Sequence, residues 1–100
     1  MNERPIPPAA LRDGNAVEML RVWIAEQRLH CSMKVGMYRE SMGIPEEEAW
    51  GVILADAARH LAQALQEKYG EDQQDAIEKI KNSFLTELAK PTSKAEGGFV

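Results

Sequence analysis

From Ala16 to Val35 the chain reads AVEMLRVWIAEQRLHCSMKV, an alternation of apolar and polar side chains broken only by the polar trio Glu26-Gln27-Arg28. A period of two sends successive side chains to opposite faces of a sheet, so this stretch predicts a β-hairpin with one apolar face. A two-residue loop at Gln27-Arg28 sets Leu20 opposite Val35, Val22 opposite Met33 and Ile24 opposite Cys31, and opposed residues share a face. A slip of one residue would mix that face with Arg21, Trp23, His30, Ser32 and Lys34. Gln-Arg lacks the glycine or asparagine that two-residue loops favour, and a four-residue loop from Glu26 to Leu29 preserves the same register.

After the hairpin the period changes. Gly36 to Ile44 reads as a loop, and Pro45 followed by Glu46, Glu47 and Glu48 opens a helix, with proline at the first helical position and acids at the positive end of the dipole. Gly70 supplies the stop after Tyr69. Asp72, with Asp75 three residues on, caps a second helix that runs to about Lys90, ahead of Pro91. Residues 1–15 hold Pro5, Pro7, Pro8 and the Asp13-Gly14-Asn15 cluster and predict an extended leader with little to order it. Residues 91–100 predict a flexible tail. The fold class is therefore α+β, one domain over residues 16–90 in the order ββαα.

The first helix has too much apolar surface for one neighbour. Asp56, Arg59, His60, Gln63, Gln66 and Glu67 gather on one polar arc. The remainder divides into a bulky stripe of Trp50, Ile53, Leu54, Ala57, Leu61, Ala64 and Leu65 and a small stripe of Gly51, Ala55, Ala58 and Ala62, a candidate helix-packing surface. The second helix is apolar only along Ile77, Ile80, Phe84, Leu85 and Leu88. The bulky stripe is expected against Leu20, Val22 and Ile24, and another helix near the small stripe. A hairpin alone leaves two open edges, and a chain this short has a thin core. Both are relieved by a homodimer whose paired hairpins extend the sheet.

Composition narrows the function. With 44% apolar and 28% charged residues the chain is too hydrophobic for intrinsic disorder. Its net charge of −4 divides as +1 over residues 1–35, −3 over 36–70 and −2 over 71–100, and acidic helices repel a nucleic-acid backbone. Cys31 is the sole cysteine, so no intrachain disulfide or cysteine-rich zinc site can form, which fits a reducing, cytoplasmic setting. No apolar run is long enough for a membrane anchor or signal peptide.

Chemistry has few places to reside. The second face of the hairpin carries Arg21, Trp23, His30, Ser32 and Lys34, an aromatic among cations that suits an anionic ligand, an acidic segment of a partner or a stacked base. The plainer account covers Trp23 with the leader, the tail or a second subunit and leaves the cations as a solvated rim. His30 and Cys31 are adjacent on one strand and point to opposite faces, so neither they nor His60 predict a metal site. Asp56 and His60 are four apart on the polar arc, but no nucleophile elbow or phosphate loop accompanies them, and no catalytic residue or cofactor is assigned.

The segments LRVW (20–23), LHCS (29–32), AWG (49–51) and LADAARHLA (54–62) together resemble a family of small bacterial proteins known only as a domain of unknown function, over about residues 17–92. The resemblance implies a bacterial cytoplasmic protein and carries no activity. The chain departs from that pattern at Gln27-Arg28, where a glycine-containing pair is expected, and in a longer loop before Pro45. Sequence reasoning thus points to a non-enzymatic interaction or regulatory module acting as a small homodimer, with itself or another protein as partner. The alternative is a small-molecule binder or enzyme with a site near Trp23, His30 and Cys31.

Overall fold

A computed structural model describes residues 1–100. The elements follow the order α1 (Pro8–Arg12), β1 (Leu20–Ala25), β2 (Arg28–Met33), α2 (Met37–Met42), α3 (Glu46–Tyr69), α4 (Gln73–Ala89) and β3 (Ala95–Phe99). They form an α+β fold with a three-stranded sheet in the order β1-β2-β3, β1 antiparallel and β3 parallel to β2. No helix is long and apolar enough to cross a membrane.

The hairpin forms with its turn one residue earlier than expected. Glu26 and Gln27 both adopt positive φ, 53° and 63°, the geometry of a type I′ turn whose twist matches the strands it joins. Leu20 therefore faces Met33, Val22 faces Cys31 and Ile24 faces Leu29. This is a shift of two residues from the expected pairing, and an even shift leaves every side chain on its predicted face. Two non-glycine residues in the left-handed region are strained. Replacing Glu26-Gln27 with Asn-Gly is expected to stabilise the fold by about 1 kcal/mol, read as a higher midpoint in urea at unchanged slope.

Three further elements depart from the expected ββαα order. A single helical turn, α1, interrupts the leader, and α2 occupies part of the Gly36 to Ile44 loop. The predicted flexible tail instead supplies β3, which pairs along β2 from Leu29 to Met33. Gly97 makes that pairing possible, because its φ is 127° and a Cβ there would lie 1.9 Å from the carbonyl oxygen of Cys31.

The helix ends are where the sequence puts them. Gly70 closes α3 at φ 71°, and the Asp72 carboxylate accepts the Asp75 amide at 3.1 Å to open α4. The helices form a hairpin, each giving a buried alanine, Ala62 at 0% and Ala76 at 3% exposure. Ala58 is half-buried, whereas Gly51 and Ala55 are exposed and a Cβ at Gly51 meets nothing, so only half of the small stripe is used within the chain.

The elements in contact are β1 with β2, β2 with β3, α2 with α3 and α3 with α4. The expected seating of the bulky stripe on the hairpin does not occur within one chain. α4 takes up the end of α3, and the sheet stands apart from both. Only Ala49, Ala62, Ala76 and Glu46 are buried, while Ile24 (82%), Leu61 (48%) and Leu88 (67%) are open to water. The radius of gyration is 15.4 Å, against about 13 Å for a compact chain of this length. The exposed area is 8475 Å², against about 5,700 Å² for a compact monomer of 11.2 kDa.

Candidate functional site

Strand pairing assembles the face predicted around Trp23. Arg21 lies opposite Ser32 and Trp23 opposite His30, and β3 adds Glu96 beside His30. Lys34 sits one residue past β2, exposed, its amide continuing the ladder to the Met19 carbonyl at 3.0 Å. Trp23 and His30 are half-buried, and the Nε2 atom of His30 is enclosed without a hydrogen-bond partner.

Of the two cations predicted for this face, Arg21 is paired and Lys34 stays exposed with no ion pair. Arg21 donates through Nε and Nη2 to the two carboxylate oxygens of Glu18, both at 3.0 Å, and through Nη1 to Glu3 at 3.2 Å. The hydrogen bonds to Glu18, its charge and that of Glu3 push the Arg21 guanidinium above its ordinary pKa. Arg28 reaches Glu96 at 2.9 Å. Leader residues Glu3, Pro5, Ile6 and Pro7 line an open concavity of 570 Å³ together with Arg21 and Trp23. The leader thus flanks the aromatic across this concavity, and acids answer Arg21 and Arg28. Three ion pairs among exposed side chains answer Arg21 and Arg28 and leave Lys34 as the unpaired cation of the face.

The residues of the enzymatic alternative do not converge. Cys31 is a free, half-buried thiol on the apolar face, opposite Val22, and so lies across the sheet from Trp23 and His30. The Asp56 carboxylate pairs with Arg59, not with His60. No three His, Cys, Asp or Glu side chains come together in a metal-binding arrangement.

One residue was missed. Glu46, read as a dipole-favouring acid at a helix start, is 7% exposed and its carboxylate reaches back to the preceding helix. Its Oε1 accepts the Arg39 amide at 3.0 Å and its Oε2 accepts the Trp50 indole N–H at 3.1 Å. Backbone bonds from Gly36 and Arg39 are the main cause of a carboxyl pKa below its ordinary 4.5, with Trp50 and Tyr38 adding to them against the cost of burial. Glu46 thus caps α2 and pins Trp50, fixing the corner between sheet and helices. Glu87 makes a second clasp, accepting the Thr92 hydroxyl at 2.6 Å and its amide at 2.9 Å, and its pKa is lowered by those bonds.

A carboxyl whose folded pKa lies below its unfolded value stabilises the fold above that value and loses the contribution as pH falls through the folded pKa. Glu46→Gln is therefore expected to lower the melting temperature at neutral pH more than Glu47→Gln or Glu48→Gln. The gap from wild type should narrow as pH drops below about 4.5. Thermal melts across that range check it.

The comparisons agree with the fold and are silent on chemistry. A family model described as Domain of unknown function (DUF5076) matches residues 3–92. The chain belongs to the DUF5076 family. The DUF5076 match contains the hairpin and both long helices and ends ahead of β3. A similar solved structure is described as that of "a putative pyruvate dehydrogenase from the photosynthetic bacterium Rhodopseudomonas palustrus CGA009". It is 27% identical, with a TM-score of 0.67 over 95% of this chain and 91% of that one. No curated protein shows significant similarity to this DUF5076 chain.

Proposed function

We propose that this protein is a cytoplasmic, non-enzymatic interaction module that works as a homodimer. The observation that carries the reading is the surplus of exposed surface. One chain shows about 2,800 Å² more than a compact monomer of its mass would. The leader contributes part of it, residues 1–9 all being exposed, but the rest includes apolar side chains of both sheet and helices. Obligate dimers bury roughly 2,000–5,000 Å² in total, so half of the surplus from each of two copies suffices.

The enzymatic reading is weaker because its residues lie on two faces of one sheet. The dehydrogenase description belongs to the structural neighbour, and no reacting group in this chain takes it up.

When folding and association are one event, stability depends on protein concentration. The urea midpoint is expected to rise with each tenfold increase in chain concentration. A midpoint that stays fixed from low to high micromolar concentration contradicts the homodimer.

A further inference from the structure

We infer that the second copy docks face-on, the Leu54, Ala57 and Leu61 ridge of its α3 seated on the apolar sheet face at Val22, Ile24 and Leu29, with the same contact made reciprocally. The inference rests on the homodimer reading and specifies its geometry.

Two unpartnered apolar surfaces on one chain motivate it. One is the sheet face, where Val22 is 49% and Ile24 82% exposed. The other is the α3 ridge, where Leu54 is 41% and Leu61 48% exposed at positions that share a helical face. A cleft of 830 Å³ opens between the sheet and α4, lined by Leu29 and Ala95 from the sheet and Ile80, Phe84 and Leu88 from α4. Its lining mixes these apolar side chains with Lys79, Ser83, Glu87 and Ser93.

Two other modes leave surface uncovered. Pairing β1 edge to edge satisfies backbone groups but buries neither face. Stacking two sheet faces leaves the α3 ridge in water. A two-fold contact is self-complementary, so setting helix on sheet once sets it twice and covers both surfaces with one operation. The surplus of about 2,800 Å² per chain, the exposed leader included, exceeds what such a double contact needs from each copy.

Cys31 lies on the docked face two residues from Leu29 and is the only native thiol, which makes it a built-in probe. Thiols are introduced singly by Ala57→Cys, a near-isosteric change that keeps the fold, and by Leu61→Cys, with Gln63→Cys on the polar arc as the control. Isotope-labelled and unlabelled chains are mixed, treated with a short bismaleimide and mapped by mass spectrometry, and the mass of each variant in solution is measured separately. The expected result is a cross-link between Cys31 of one chain and the α3 thiol of another for Ala57→Cys and Leu61→Cys, at least tenfold above Gln63→Cys. Four results overturn the inference. A Cys31-to-Cys31 link in wild type means stacked sheets, and a link within one chain means the helices fold back on their own sheet. A dimeric mass with no α3 link leaves the homodimer standing and removes this geometry. A monomeric mass removes both.

Discussion

Replacing Leu88 by aspartate is expected to split the proposed dimer. In an isolated chain Leu88 is 67% exposed near the end of α4, and exposed substitutions of this kind change stability by no more than about 0.5 kcal/mol. The same residue lines a cleft together with Phe84 and Leu29, which the proposed second copy would cover. An unpaired carboxylate buried there costs about 3 kcal/mol, and two-fold symmetry places two of them in each dimer. The dissociation constant should rise by about four powers of ten, enough to leave monomer at micromolar concentration. Leu88→Lys separates this effect from the helix itself. The last turn of α4 carries no basic residue, and a cation there favours the dipole by a few tenths of a kcal/mol, so lysine steadies the helix while opposing the dimer. Sedimentation velocity on both variants reads the outcome. A dimeric mass retained in both contradicts the placement of Leu88 in the interface.

Gly97→Ala is expected to release β3 outright. The φ of 127° lies where side chains are rarely found, and the added Cβ would collide at 1.9 Å with the backbone of Cys31, which cannot yield without breaking β2. Five residues of edge strand cannot pay such a strain, about 3 kcal/mol or more, from their own pairing. The amides of Gly97 to Phe99 should exchange with solvent at the rate of free chain, while those of β1 paired with β2 stay protected. Freed from β2, Glu96 also leaves Arg28. Gly98→Ala, where a Cβ meets nothing, is the matched control and should retain β3. Equal protection in both variants would mean that β3 does not pair with β2 as described.

The contrast between the two glycines shows why parts of this fold were legible and parts were not. The hairpin faces follow from local alternation, which is insensitive to an even shift of register, so Val22, Ile24 and Cys31 were placed correctly although their partners were not. The turn was misplaced by one residue because Glu26-Gln27 offers none of the chemistry that normally advertises positive φ. Helix ends at Gly70 and Asp72 were legible because caps are local. β3 was hidden because Ala95–Phe99 has two glycines and one large apolar residue, and its pairing is with a strand more than sixty residues away.

The candidate face shows the same division. Arg21, Trp23, His30 and Ser32 share a face by parity alone, which the alternation reveals. The acids that meet this face, Glu3 on Arg21 and Glu96 on Arg28, come from the leader and from β3, two segments without periodic pattern. Glu46 was missed because its partners are amides in the short Gly36 to Arg39 stretch, although Trp50, one helical turn on, was a visible donor. The separation of helices from sheet was not legible at all. The sequence matches the bulky stripe of α3 to the hairpin face in character, and character does not say whether the match is made within one chain or between two.

Whether one chain or two complete the fold can be measured directly. Sedimentation equilibrium from low to high micromolar concentration is expected to return a mass twice that of the 11.2 kDa chain throughout. A mass of one chain at high micromolar concentration, in a sample that still unfolds cooperatively, would contradict it.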